Sequence, residues 1–239
     1  MKTGKLYVIG VGPGDPELQT IKGMRILSGI SCICVPKGRE EGSSLALSIV
    51  KKALRLDNKE IIEAHFPMRK TRDTESGAEL DIKWDETVKI VSDRLNRGMD
   101  MAFITIGDPT IYSTFFYLYD RLIETNPDLD IEIIPGVSSI NASAARAKIS
   151  LGLADEKIAI LPANYIENLK ETLEKFDTVV LMKVNKVFEG IRHTLTEMNL
   201  LNNAIYISRA GMEDEKVFKN INSVQGKDLN YFSMVIVKK

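Results

Sequence analysis

The sequence predicts an α/β protein, two α/β domains with a first sheet that is mainly parallel and a second that is mixed, and three observations predict it. Apolar runs alternate with amphipathic stretches along the chain, the pattern of parallel strands covered by helices. Glycine- and proline-rich turns follow three of these runs: Gly10-Val11-Gly12-Pro13-Gly14-Asp15-Pro16, Gly107-Asp108-Pro109 and Pro135-Gly136-Val137-Ser138-Ser139. Each comes after β-branched residues and before a helical pattern, where backbone at the carboxyl end of a strand can approach a small ligand. The third observation is a change after Gly211, where residues 216–222 and 231–237 read as antiparallel strands closing the sheet.

Taken in order, β-branched apolar runs give strands and three-to-four spacing gives helices. The first half reads strand 5–10, helix 17–28, strand 31–35, helix 43–54, a short strand 60–64, helix 82–97, strand 101–106 and helix 111–124. Asp15, Pro16 and Glu17 start the first helix as N-cap, first-turn proline and first-turn acid. Thr125-Asn126-Pro127-Asp128 breaks the pattern and divides the chain into domains 1–125 and 126–239. The second half reads strand 130–134, helix 137–147, strand 157–161, helix 166–175, strand 178–183, helix 185–198 and strand 204–208.

Composition bounds the function. At 239 residues, 44% hydrophobic, 27% charged and a net charge of -1, the chain reads as globular and lacks the basic excess of a nucleic-acid binder. No apolar run reaches the roughly 18 to 20 residues that span a bilayer, and Met1-Lys2-Thr3-Gly4 leads into a strand without a signal-peptide core. A cytoplasmic protein without a membrane partner is the expectation. Cys32 and Cys34 alternate along one strand, so both face one side of it, too close together for a normal disulfide. They read as core residues. His65 and His193 are isolated and show no ligand spacing, so no protein-bound metal is expected.

The first turn matches two glycines of the dinucleotide fingerprint G-x-G-x-x-G, but Asp15 stands where the third should be. A carboxylate there competes with a pyrophosphate. Residues 67–81 are polar and charged and read as a long loop, in which Arg69, Lys70 and Arg72 could clamp carboxylates or simply be solvated.

Together the first turn with Glu17-Leu18-x-Thr20, the Gly107-Asp108-Pro109 loop, Pro135-Gly136-Val137-Ser138, Leu181-Met182-Lys183 and Ser208-Arg209-Ala210 resemble, in order, the motifs of the tetrapyrrole methylases of cobalamin and sirohaem synthesis. The resemblance spans about 5 to 237. Val35-Pro36-Lys37, Ser44 to Leu47, Phe66-Pro67-Met68, Trp84 and Gly107 to Thr114 look like the branch that methylates carbon 20 of precorrin-2 or cobalt-factor II.

That resemblance implies a homodimeric enzyme with S-adenosyl-L-methionine folded in a cleft between two domains. It implies Gly12, Pro13, Gly107, Asp108 and Ile111 as cofactor residues, with Tyr112, Ser113 and Thr114 extending the wall. Ser138, Ser139, Met182 and Ala210 complete the set, and the Gly107 amide is expected to be available to the cofactor. Asp108 can instead cap a helix starting near Pro109, and Met182 can instead be core. No catalytic residue declares itself. The expected chemistry is attack of a meso carbon on the sulfonium methyl, governed by in-line placement and exclusion of water. Because the tetrapyrrole carries many carboxylates, Lys37, Arg39, Arg69 and Arg72 are the expected substrate rim, with Lys183 and Arg209 as second choices. A nicotinamide oxidoreductase, a nucleotide sensor without catalysis, and a related methylase of another ring position or of diphthine formation stay open as alternatives.

Overall fold

A computed structural model describes residues 3–37, 44–65 and 77–239. The chain forms two compact units, Met1–Ser138 and Ser139–Lys239.

The first unit is a five-stranded sheet of β1 (Leu6–Gly10), β2 (Cys32–Lys37), β3 (Glu60–His65), β4 (Met101–Thr105) and β5 (Ile131–Ile134). Its order is β3-β2-β4-β1-β5 and every pairing is parallel. Parallel neighbours need crossovers, which α1 (Ile21–Gly29), α2 (Leu45–Ala53), α3 (Gly77–Asn96) and α4 (Phe115–Thr125) supply. The two-residue alternation of the strands splits the core cleanly. Leu6, Val8, Cys32, Cys34, Met101 and Phe103 face Trp84, Val91 and Leu95 of α3 and Phe115, Leu118 and Leu122 of α4. Ile9, Ile33, Val35, Ala102 and Ile104 face Leu27 of α1 and Ala46, Leu47, Ile49 and Val50 of α2. With both faces covered, the strands are apolar throughout. The cysteines are core, as expected, and burial pushes their thiols up to about 11 for Cys32 and about 12 for Cys34. Neither offers a thiolate at neutral pH.

The second unit is a mixed sheet of β6 (Ile158–Pro162), β7 (Thr178–Met182), β8 (Ala204–Ser208), β9 (Lys216–Phe218) and β10 (Ser233–Lys238), in the order β6-β7-β10-β8-β9. Only β6 and β7 pair in parallel. Leu173 of α6 (Leu169–Lys175) and Phe188, Ile191 and Leu195 of α7 (Phe188–Glu197) pack on one face, against Val179, Leu181, Val235, Val237 and Tyr206. On the chain side that enters this unit, α5 (Ser139–Ala147) packs against β8.

Four expectations change. Strand 130–134 belongs to the first sheet, because β5 pairs with β1, so the units divide after Ser138 rather than at Thr125 to Asp128. Helix 17–28 is two pieces: a 3-10 turn, Pro16–Leu18, and α1, separated because Thr20 is extended and caps α1 by accepting from the Gly23 amide at 3.1 Å. Residues 77–81 lie in α3 rather than in a loop, and 67–76 fall outside the described residues. Finally, of 216–222 only Lys216–Phe218 is strand, with a 3-10 turn at Ile221–Ser223, whereas β10 is antiparallel as read and lies between β7 and β8, where Met234 to Val237 are all buried.

Edge strand β5 carries an ion cluster. Glu132 takes Lys5 at 2.9 Å and also pairs with Lys22, and these two ammonium groups hold its carboxyl down at about 2. A carboxyl lowered in the folded state contributes stability that is present above its unfolded value and lost as the pH falls toward about 2. Glu132→Gln should therefore lose less stability than the parent between about pH 4.5 and 2 in urea titrations, and added salt should shrink the difference.

Candidate active site

Strands β4, β1 and β5 are neighbours, so their carboxyl ends bring the turns after Gly10, Thr105 and Ile134 side by side. There the Gly107 amide donates to the Gly12 carbonyl at 2.8 Å, an isolated antiparallel bridge between the first two turns. Both glycines are left-handed, with φ of 78° and 71°. A Cβ on Gly10 would lie 2.5 Å from the Gly107 carbonyl oxygen and 2.7 Å from the Gly136 nitrogen. One on Gly136 would lie 2.2 Å from the same oxygen and 2.8 Å from the Gly10 carbonyl. The three turns thus touch through bare backbone.

Asp108 fastens this cluster. One carboxylate oxygen accepts from the Thr110 amide at 2.7 Å and from the Thr110 hydroxyl, and the other accepts from the Gly136 amide at 3.0 Å. Its role is therefore not that of a cap on the following helix. That helix starts at Phe115 instead of 111, because Tyr112 is left-handed at φ 52° and Ser113 accepts from the Phe115 amide at 3.2 Å. The Gly107 amide, expected to serve the cofactor, is engaged by Gly12.

Around this cluster Pro13 is buried, and Ile111, Ser113 and Thr114 are partly buried or more open, with Tyr112 49% exposed. Asp15 accepts from the Glu17 amide at 2.9 Å, with Pro16 at the first position of the 3-10 turn. A carboxylate thus occupies the Glu17 amide, a donor that a pyrophosphate would need, which suits an uncharged or cationic ligand. The close approach that the fingerprint's third glycine would provide comes instead from Gly23, where a Cβ would sit 3.0 Å from Ile9 Cγ2. Sequence reasoning missed Gly23, although a glycine inside a short helix is itself a packing signal.

Ser138 closes the first unit, buried, and Ser139 opens α5 in the second. In the second unit, the carboxyl ends of β6, β7 and β8 and the start of β10 lie at one end of the sheet. Met182 is the last residue of β7, in register with Pro162 and Met234. Ala210 is buried between left-handed Arg209 (φ 55°) and Gly211 (φ 77°). The Arg209 amide donates to the Phe232 carbonyl at 2.7 Å, while its guanidinium pairs with Asp214. The Gly211 amide donates to Glu215 at 2.6 Å, and Arg146 of α5 pairs with Glu215 at 3.2 Å.

Of the expected substrate rim, Lys37 lies at the end of β2, paired with Glu63 of β3 at 2.6 Å. Arg39, Arg69 and Arg72 lie outside the described residues. Among the described residues, no group of three or more His, Cys, Asp or Glu is arranged to hold a metal ion, and no helix is long and apolar enough to cross a membrane.

The family model of the tetrapyrrole (corrin/porphyrin) methylases matches residues 5–223. The cobalt-precorrin-2 C(20)-methyltransferase of Salmonella typhimurium is 35% identical over 99% of this chain and 97% of its own length. The probable cobalt-precorrin-2 C(20)-methyltransferase of Methanocaldococcus jannaschii is likewise 35% identical, over 98% of this chain and 96% of its own. Among solved structures, a cobalt precorrin-4 methyltransferase superimposes with a TM-score of 0.75 at 22% identity, covering 98% of this chain and 94% of its own. A Thermus thermophilus uroporphyrin-III C-methyl transferase complexed with S-adenyl homocysteine gives a TM-score of 0.67 at 16% identity, covering 99% and 98%. The ordered turns, the two sheets and the match over nearly the whole length agree: the chain belongs to the tetrapyrrole (corrin/porphyrin) methylase family.

Proposed function

We propose that the protein transfers a methyl group from S-adenosyl-L-methionine to carbon 20 of cobalt-precorrin-2, or of its factor II form, in cobalamin biosynthesis. The observation that carries this reading is the 35% identity, over nearly full length on both sides, to relatives named for C(20) methylation of cobalt-precorrin-2. The cobalt belongs to the substrate. S-adenosylmethionine supplies a methyl already activated by a sulfonium charge, so the chain needs no nucleophile of its own.

The residues present fit such a cofactor. The glycine turns at Gly10, Gly107 and Gly136 present backbone without side chains at the carboxyl ends of β1, β4 and β5, and the carboxylate of Asp15 disfavours a pyrophosphate. In this reading the cofactor residues of the first unit are Gly12, Pro13, Gly107, Ile111 to Thr114 and Ser138, and those of the second unit are Ser139, Met182 and Ala210. Asp108 acts by holding the turns in place, and the loops as a whole orient the reacting groups and exclude water.

The same reading includes a cytoplasmic homodimer. Exposed apolar side chains on α3 and α4, Ile82, Ile90, Phe116 and Tyr117, support a second copy as partner. Light scattering should then return twice the chain mass of 26.7 kDa.

The test is anaerobic incubation with S-adenosylmethionine and either cobalt-precorrin-2 or metal-free precorrin-2, followed by mass spectrometry and carbon labelling. One methyl gained at carbon 20, faster with the cobalt form, is the expected result. A methyl at another ring carbon would replace this function by that of a sister methylase, and no gain from either substrate would refute it.

A further inference from the structure

Three cations of the second unit, Lys148, Lys183 and Arg209, have a left-handed backbone; Lys148 is exposed and Arg209 is paired with Asp214, which sets Lys183 apart. Lys183 directly follows Met182 at the end of β7, and its backbone is left-handed, with φ 58° and ψ 43°. The fold enforces this turn: the Lys183 amide donates to the Ser233 carbonyl at 2.9 Å, and a 3-10 turn, Val184–Lys186, begins at once. A non-glycine residue in that region costs about 1 kcal/mol, and glycine would be the default there.

That side chain is half-buried, with its ammonium 5.7 Å from the centre of the Tyr231 ring. Lys5, Lys37, Arg94, Arg209 and Lys238, buried to a similar degree, each have a carboxylate partner. Lys183 has none among the described residues, and burial alone pushes its ammonium below the ordinary lysine value. A partly desolvated cation without a counter-ion is unfavourable by itself and becomes favourable when an anion arrives. Tyr231, 37% exposed, is itself edge-on to Phe232, 39% exposed, and this aromatic pair leaves surface open to solvent. The Arg209 amide on the Phe232 carbonyl ties this aromatic pair to the loop that carries Ala210.

We propose that Lys183, seated against Tyr231, binds a side-chain carboxylate of the tetrapyrrole and so helps to determine specificity for the carboxylated substrate. This rests on the methyltransferase reading above, from which it takes the substrate class. S-adenosylmethionine also carries a carboxylate, so the experiment separates the two sources of that group.

Lys183→Gly removes the ammonium and relieves the left-handed strain, and Lys183→Arg keeps the charge. Binding of cobalt-precorrin-2 is followed by its absorbance, binding of S-adenosylhomocysteine by calorimetry, and turnover by methyl incorporation. For K183G, the tetrapyrrole Kd and KM should rise about 10- to 100-fold, the range of a lost charge-assisted hydrogen bond. Its kcat and its Kd for S-adenosylhomocysteine should stay within about twofold, and its Tm within about 4 °C. K183R should recover most of the affinity, and a fully esterified tetrapyrrole should bind both variants and the parent alike.

An unchanged tetrapyrrole Kd in K183G would overturn the proposal. So would a loss confined to S-adenosylhomocysteine, which would give Lys183 to the cofactor. Because the titration needs no turnover, a parent protein that binds the tetrapyrrole through Lys183 but leaves carbon 20 unmethylated would defeat the functional reading and leave this inference standing.

Discussion

Gly136→Ala is expected to abolish binding of S-adenosylhomocysteine and to destabilise the first unit by about 3 kcal/mol or more. The added Cβ would sit 2.2 Å from the Gly107 carbonyl oxygen and 2.8 Å from the Gly10 carbonyl carbon and oxygen, all of them backbone. Neither neighbour has room to yield. Gly107 is bridged to Gly12, and Gly10 ends the strand that pairs with both β4 and β5. The β5 turn must therefore move away, which also pulls the Gly136 amide off Asp108. Gly190→Ala is the control, since nothing lies within 4 Å of its added Cβ and the residue sits inside α7. There alanine should be neutral or stabilise by about 0.5–1 kcal/mol. Urea unfolding and calorimetry on both variants check the pair, and equal behaviour would show that the three turns do not depend on contact between bare backbones.

Asp108→Asn should fold and yet lose cofactor affinity by at least about tenfold. The carboxylate accepts from the Thr110 amide and hydroxyl on one oxygen and from the Gly136 amide on the other. An asparagine offers one oxygen and two donors, so its amide nitrogen must face a donor on one side. One link, to Thr110 or to the part-buried Gly136 amide, is lost and that donor is left to water. The β4 and β5 turns are then free to separate, and weaker binding of S-adenosylhomocysteine without a large change in Tm is the signature. Loss of methyl transfer with intact cofactor affinity would instead indicate that Asp108 acts on the reacting groups.

Much of this was legible before any coordinates. The alternating apolar runs located every strand of both sheets to within a few residues, because a strand buried on both faces must be apolar along its length. The glycine turns announced the cluster at the carboxyl ends of β1, β4 and β5. The misfit of Asp15 to the dinucleotide fingerprint is matched by its hydrogen bond to the Glu17 amide. Local chemistry of this sort is carried by a few adjacent residues, and so it can be read from them.

What pairs with what was not legible. The break at Thr125 to Asp128 reads as a domain boundary, yet β5 follows it and joins the first sheet, since pairing with β1 is settled across more than a hundred residues. Likewise β10 fills the middle of the second sheet although it comes last in the chain. Asp108 looked like a helix cap or a ligand, and only its contact with Gly136, 28 residues away, identifies it as the fastening between turns. Lys183 reads from the sequence as a second choice for the substrate rim, and only folding sets it beside the Tyr231 ring with no carboxylate partner among the described residues. By itself the sequence determined the fold class, the strands and the family, because periodicity and ordered turns are local. The tertiary structure alone decided strand order, the unit boundary and which side chains carry uncompensated charge, because those depend on groups that only folding brings within reach.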